Sequence, residues 1–349
     1  MNQTNQLITH LGAEHNVTGS CHLLQVNGLN IMVDCGIAQG KDHVIPMEAW
    51  PVSPSRVNYL FLTHAHIDHI GRVPELVQRG FKGEIIATHA TKALLEPMLQ
   101  DAMSFSDMTK DQASKILETI DDLPWGFEHN QYFDLKSGIR FKLGRAGHIL
   151  GSCFIRFEIP VDPNQTQHSK KGAMDKHNQK KGAMDKLVCP CLFIKNSFSI
   201  VFSGDLGACN TPILPDPDIP EPCDLLIIES TYGDRYHEDR KQRTKRLGEI
   251  LTRALSDGGK VFIPAFSLGR TQELIYEIDR LAGASKHGIH GDMTRFSFIK
   301  SGSCPQTEEA KEILQRALHN THNVIASETK QSHNTLISNK IATSLCSSQ

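Results

Sequence analysis

Four side chains able to ligate a metal lie within six residues: His64, His66, Asp68 and His69, in the run Thr63-His-Ala-His-Ile-Asp-His-Ile-Gly71. The apolar stretch Val57 to Leu62 before them is short and rich in β-formers, which predicts a buried strand. The cluster therefore sits on the loop leaving that strand. His64 and His66 alternate about Ala65, so in an extended turn their rings can converge on one side. Asp68 and His69 open the next turn and can reach a second point. Imidazole nitrogens with one carboxylate suit zinc, and two such points suit a two-metal hydrolytic centre. A single histidine is ordinarily a satisfied core or surface residue. Four metal-capable side chains at this spacing behind a buried strand are better explained by metal binding.

Further candidates follow at other strand ends. Leu29 to Val33 ends at Asp34-Cys35-Gly36. An acid there either caps the strand or orients a neighbouring ligand, as carboxylates do for metal-bound histidines. His148 lies between small residues in Gly147-His-Ile-Leu-Gly-Ser152, a strand-linking loop compatible with a third imidazole ligand. Ser199 to Gly207 reads as a buried strand ending at Asp205, whose carboxylate could bridge two metals. Asp224 to Ser230 is another strand with a terminal acid, Glu229, followed by Thr-Tyr-Gly-Asp-Arg235.

The elements that must position these residues alternate between strand and helix. Leu7 to Leu11 and Cys21 to Val26 read as strands, and Asn27-Gly28 is a two-residue hairpin signal leading into Leu29 to Val33. Residues 72–100 predict a helix, a strand over Glu84 to Thr88, and a second helix. Met98 to Ile120 continues as amphipathic helical sequence. Phe133 to Leu143 contains a hairpin about Ser137-Gly138. The pattern is that of an α/β layered fold. Thr211 to Cys223 holds five prolines and predicts an extended connector. The basic run Arg240 to Arg246 can grip phosphates or form a solvated helix face. Leu247, Ile250, Leu251 and Leu255 behind it form a packing stripe.

Residues 160–188 interrupt this pattern. Lys-Lys-Gly-Ala-Met-Asp-Lys occurs at 170–176 and again at 180–186. The segment is polar and has no apolar face, so it predicts a mobile loop between strands over Phe154–Ile159 and Leu192–Phe202. Two copies are too few for a solenoid. Cys189 and Cys191 flank Pro190 and fit a strand start better than a metal site without partners of matching spacing.

Hydrophobic residues make up 39% of the 349-residue chain and charged residues 22%, enough for a packed core and more than one domain. A net charge of −2 gives no global attraction to nucleic acid, so such a partner needs a local basic patch. The N-terminus has neither the basic region nor the apolar core of a signal peptide, and no apolar run approaches the ~20 residues of a membrane span. Nine scattered cysteines argue for free thiols in a reducing cytoplasm.

The motif His-x-His-x-Asp-His over residues 64–69 resembles the metallo-β-lactamase superfamily of hydrolases. Within it the chain resembles the β-CASP branch of RNA-processing nucleases, which includes bacterial ribonucleases and the nuclease of mRNA 3′-end cleavage. Asp34, the His64–His69 cluster, His148 and Asp205 match the four metallo-β-lactamase motifs. Glu229 in Glu-Ser-Thr-Tyr-Gly-Asp-Arg matches the branch's motif A acid. Lys260-Val-Phe-Ile-Pro-Ala-Phe-Ser-Leu-Gly-Arg-Thr-Gln-Glu-Leu274 matches the strand-turn-helix that opens the β-CASP domain. The resemblance implies an αββα sandwich over residues 1–235 with two zinc ions, and the start of an inserted α/β domain over 236–282. It implies that His64, His66 and His148 hold one zinc, Asp68 and His69 the other, and that Asp205 bridges them. It implies Asp34 as an orienter of a metal-bound histidine and Glu229 as the orienter of a general-acid histidine. The reaction implied is hydrolysis of RNA phosphodiester bonds by a metal-bound hydroxide.

Residues 283–349 do not match the continuation of the branch, including the stretches that supply the general acid and the last histidine of the second zinc site. The sequence therefore leads us to expect a truncated or rearranged relative with a weakly structured tail. Expected consequences are a weak second zinc site, slow RNA cleavage, and a half-built second domain that leaves Leu274, Ile275, Ile278 and Leu281 without cover. Such a chain could pair with itself or with an intact relative. Two other readings compete with the nuclease: an inactive metal-binding remnant, and a thioesterase or lactonase on the same fold. Glu229-Ser-Thr-Tyr232 and Gly269-Arg-Thr-Gln-Glu273 argue against the last.

Overall fold

The computed structural model describes residues 7–104, 108–161, 197–236, 242–256, 261–266, 268–283 and 296–300. Strands β1 (Ile8–Gly12), β2 (Cys21–Val26) and β3 (Leu29–Val33) form an antiparallel meander. Asn27 and Gly28 turn the β2–β3 hairpin with φ of 50° and 79°, the two left-handed conformations that a tight hairpin needs. β4 (Tyr59–Phe61), β5 (Glu84–Thr88) and β6 (Pro124–Phe127) then add in parallel, giving the sheet order β1-β2-β3-β4-β5-β6. β4 lies mid-sheet and is buried on both faces, which is why its sequence is apolar without alternation. It is shorter than the expected Val57–Leu62. Val57 still belongs to the end of the Pro54–Arg56 turn, and at Thr63 the backbone amide donates to the Asp34 side chain and not to a neighbouring strand.

Four helices connect these strands: α1 (Ile67–Ile70), α2 (Val73–Gln78), α3 (His89–Met103) and α4 (Lys110–Asp121). The Thr88 hydroxyl caps α3 by accepting the Thr91 amide. The helical stretch expected to run unbroken from Met98 to Ile120 is divided. Thr109 and Gln112 form a reciprocal capping box, and this starts α4 as a new helix. Leu95 and Leu99 of α3 and Ile116 and Ile120 of α4 pack with Leu60, Leu62 and Ile85 of the first sheet.

The second sheet contains β7 (Tyr132–Asp134), β8 (Arg140–Arg145), β9 (Cys153–Pro160), β10 (Ser197–Phe202) and β11 (Leu225–Ile227), in the order β11-β10-β9-β8-β7. It faces the first sheet across an aromatic core. The Phe61 ring meets Phe141 and Phe157 edge to face, with centroids 5.0 and 4.8 Å apart. The opposite face of this sheet carries charge: Arg140 pairs with Glu158, Lys142 with Glu221, and Arg156 with Glu158. The described residues thus show a helical layer and two facing sheets, a mixed α/β architecture of the expected kind. β9 and β10 pair antiparallel from Ile155↔Phe202 to Pro160↔Ser197. The Lys-rich repeat and Cys189–Cys191 between them lie outside the described residues.

Beyond β11 come α5 (Arg243–Leu255), β12 (Val261–Ala265), α6 (Arg270–Gly283) and β13 (Phe296–Lys300), with β12 and β13 paired in parallel. Leu247, Leu251, Ile263 and Ile278 form a small core of their own, with Leu274 and Leu281 packed against it. The expectation that α6 lacks cover is therefore corrected. Ile278 is 1% exposed, and of the four only Ile275, at 46%, faces outward. α5 supplies that cover through Leu247 and Leu251.

Candidate metal centre

Strand ends bring the candidate residues together. Asp34 directly follows β3, and its φ of 59° turns the chain sharply out of the sheet. β4 runs into Thr63, His64 and His66, and α1 carries Asp68 and His69. His148 lies on the loop after β8, and the Ser152 hydroxyl holds that loop by accepting the His148 and Ile149 amides. Asp205 lies just past β10. Two glycines permit this crowding. A Cβ at Gly36 would lie 1.6 Å from the Asp68 carbonyl oxygen, and one at Gly207 would lie 1.7 Å from the Gly147 carbonyl oxygen.

Two groups of donor atoms result. His64, His66, His148 and Asp205 form one, and Asp68, His69 and Asp205 the other, with the atoms of each within 4.8 Å of one another. In the first, His66 Nδ1 lies 3.1 Å from both His64 Nε2 and His148 Nε2. One ring nitrogen has a single proton or a single lone pair, so it cannot serve two in-line hydrogen bonds. Three nitrogens converging at this spacing match ligands on a common centre, since donors ~2.0–2.1 Å from a tetrahedral zinc stand about 3.3 Å apart. The donor set fits the metal.

Asp205 spans both groups. Its Oδ2 is 3.8 Å from His64 Nε2 and 3.6 Å from His148 Nε2, while its Oδ1 is 3.2 Å from His69 Nε2. His69 Nε2 is also 3.8 Å from Asp68 Oδ2. Electrostatics divide the histidines. Burial and then the neighbouring rings push the His64 pKa well down, and push that of His66 down to about 4. Burial likewise lowers His148. These three rings are neutral and offer lone pairs. Burial also opposes charge on His69, but Asp34 and Asp205 on either side outweigh it and hold its pKa well above the ordinary value. Burial alone would raise Asp205, yet its hydrogen bond and charge interaction with His69 bring it down to about 2. Burial raises Asp68.

Asp34 is buried and fully engaged. Its Oδ2 accepts from His69 Nδ1 at 2.7 Å and from the Ser20 hydroxyl at 3.1 Å, and its Oδ1 accepts the Thr63 amide at 2.8 Å. The Thr63 hydroxyl donates to Oδ2 at 2.9 Å. Glu229 takes a partner that the sequence did not suggest. Its carboxylate accepts the Leu206 amide at 2.7 Å and the Thr231 amide at 3.3 Å, which ties the end of β11 to the loop bearing Asp205. Ser20, Thr63 and Ser152 were not anticipated as site residues. Thr63 alone carried a signal, since it immediately precedes the cluster.

Comparison with known proteins agrees with this geometry. Residues 16–163 match the metallo-beta-lactamase superfamily. The chain is 34% identical over 269 residues to Ribonuclease TTHA0252 of Thermus thermophilus, covering 77% of this chain and 54% of that protein. It is 29% identical over 281 residues to Endoribonuclease YSH1 of Eremothecium gossypii, covering 77% and 32%. It is 31% identical over 284 residues to Cleavage and polyadenylation specificity factor 73 of Drosophila melanogaster, covering 78% and 35%. The chain thus spans about half the length of the Thermus relative and a third of the eukaryotic ones. Residues 16–163 thus match the metallo-beta-lactamase superfamily, and two of these relatives are named as ribonucleases.

Proposed function

We propose that this chain is a zinc-dependent metallohydrolase of the RNA-processing type, belonging to the β-CASP branch and acting on RNA phosphodiester bonds. The observation that carries the proposal is the position of Asp205, with one carboxylate oxygen toward the His64–His148 group and the other toward His69. In this reading His64, His66 and His148 hold one zinc, Asp68 and His69 hold the second, and Asp205 serves both. Two bound zinc ions would supply Lewis acidity to a phosphoryl oxygen and would lower the pKa of a bound water. The protein's own part is preorganisation. Burial keeps the first three rings neutral, Asp34 fixes the His69 ring through Nδ1, and Glu229 fixes the Asp205 loop through the Leu206 amide. Asp34 and Glu229 act here as positioning residues, and Asp68, whose carboxylate faces His69, acts at the reacting centre. The separate core of Leu247, Leu251, Ile263 and Ile278 supports a second domain beginning after residue 235.

The ribonuclease names of two of the relatives favour RNA as substrate over a thioester or lactone. Among the described residues no helix is long and apolar enough to cross a membrane. The free thiols of Cys21, Cys35, Cys153, Cys209 and Cys223 fit the reducing cytoplasm that we propose as the setting. The test is hydrolysis by purified protein of a single-stranded RNA oligonucleotide, a thioester and a lactone, before and after chelation and zinc return. RNA cleavage lost on chelation and restored by zinc is expected. Thioester or lactone turnover without RNA cleavage would overturn the assignment.

A further inference from the structure

Behind Asp34 a line of polar groups leads away from the metal centre. Ser20 immediately precedes β2, and its backbone touches two parts of the site: its amide donates to the Asp68 carbonyl at 2.8 Å and its carbonyl accepts the Gly36 amide at 2.9 Å. Its hydroxyl donates to Asp34 Oδ2 at 3.1 Å. His22, two residues on, places Nε2 3.5 Å from that hydroxyl oxygen. His22 Nδ1 in turn lies 2.9 Å from His10 Nδ1 across the β1–β2 pair, where His10 and His22 are register partners. The His22 ring also stacks on Phe202, the last residue of β10 before the Asp205 loop, with centroids 5.9 Å apart. The imidazole thus touches Ser20, which itself bonds Asp34 and the Asp68 carbonyl, and Phe202, which leads into the Asp205 loop.

The Ser20 hydroxyl donates its one proton to Asp34, which can only accept, and this gives the line a direction. A neutral histidine has one N–H and one lone pair, so its two nitrogens have opposite roles. If His10 Nδ1–H donates to His22 Nδ1, then His22 carries its proton on Nε2 and donates to the Ser20 oxygen. The Ser20 O–H is then free only for Asp34. The chain of donation runs His10 to His22 to Ser20 to Asp34 and ends on a carboxylate, which also receives His69 Nδ1–H. With His22 in the other tautomer the Ser20 proton would be drawn toward His22 and Asp34 would lose a donor. Burial, and then His10, hold the His22 pKa down at about 4, so the ring is neutral over the working range.

We infer that His22, set in its tautomer by His10, is a positioning residue for the Asp68–His69–Asp205 ligand group, acting through Ser20 and Asp34, which rests on the two-metal reading of the centre. It touches neither metal nor substrate. Groups of this kind typically change metal affinity 10–100-fold.

The test is zinc titration against a competing chelator, reading the two affinities separately, with thermal melting measured on the same samples. His22→Phe keeps the ring against Phe202 and removes both nitrogens. It is expected to weaken the second zinc about 10–100-fold and leave the His64–His66–His148 zinc unchanged. His22→Gln restores a donor toward Ser20 and is expected to recover most of the loss, which a merely structural role would not give. Ser20→Ala alone should match His22→Phe, and the double variant should add little further. In metal-free wild-type protein, imidazole nitrogen resonances should place the His22 proton on Nε2. Unchanged second-site affinity in His22→Phe, or a proton on Nδ1, would overturn the inference. A wild-type protein that takes up no second zinc would instead overturn the two-metal reading.

Discussion

Asp34→Asn isolates the orienting carboxylate with little other disturbance. Asp34 has φ of 59°, a conformation that asparagine tolerates, so the backbone cost is small. Shape and volume are kept. What changes is the acceptor count. The carboxylate accepts from the Thr63 amide, the Thr63 hydroxyl, the Ser20 hydroxyl and His69 Nδ1. An asparagine that keeps its oxygen on Thr63 presents its NH₂ group to His69 Nδ1–H and Ser20 O–H, donor against donor. The charged bond to His69 is lost, worth about 1.5–3 kcal/mol. Orienting carboxylates typically change metal affinity 10–100-fold, which is about 1.4–2.8 kcal/mol at 1.4 kcal/mol per tenfold. The two estimates agree. Zinc titration of Asp34→Asn should therefore show the weaker affinity falling 10–100-fold while the tighter one holds. A fall of both affinities in parallel, or of neither, would refute the assignment of Asp34 to His69. Asp34→Ala would be a poor substitute, since it strands several buried donors at about 1–3 kcal/mol each and is expected to unfold the domain.

Gly36→Ala is expected to abolish the Asp68–His69 group, because its Cβ would lie 1.6 Å from the Asp68 carbonyl oxygen; a single remaining zinc per chain would check it. Phe61→Ala removes the ring shared by Phe141 and Phe157 between the sheets and should cost about 3–5 kcal/mol by denaturant unfolding. Ile278→Ala should destabilise by about 2–5 kcal/mol whereas Ile275→Ser should be near neutral, since only the former is buried. Under brief alkylation of folded protein Cys209, which is exposed, should react before Cys21, Cys35 and Cys153, which are buried, as peptide mass mapping would show.

The candidate residues were legible because chemistry and strand period coincide: an apolar strand must stop where polar side chains begin, so His64 and Asp205 stood out at strand ends, while His148, in a linking loop, was a weak signal until set beside the first cluster. The β2–β3 hairpin was legible from Asn27-Gly28 for the same local reason. What could not be read was set by tertiary contact. Nothing in Ser20 or His22 indicates that they line up behind Asp34, since that depends on the β2–β3 register, which sets His22 opposite Val33. The bond from Glu229 to the Leu206 amide needs β10 and β11 side by side. The break between α3 and α4 was misjudged because helical periodicity continues across it while the Thr109–Gln112 box resets the axis. The cover on α6 comes from α5 and was invisible while each stripe was considered alone.

The most direct test of the account is the metal content of dialysed wild-type and Asp205→Ala protein, measured by elemental analysis with cleavage of single-stranded RNA on the same samples. The wild-type protein should keep about one tightly held zinc on its three histidines and take up a second, weaker one, with cleavage following the second. Asp205→Ala should weaken both, because its two oxygens face both groups. Wild-type protein that retains no zinc, or Asp205→Ala protein that binds both ions and cleaves RNA as well as wild type, would contradict the two-metal centre.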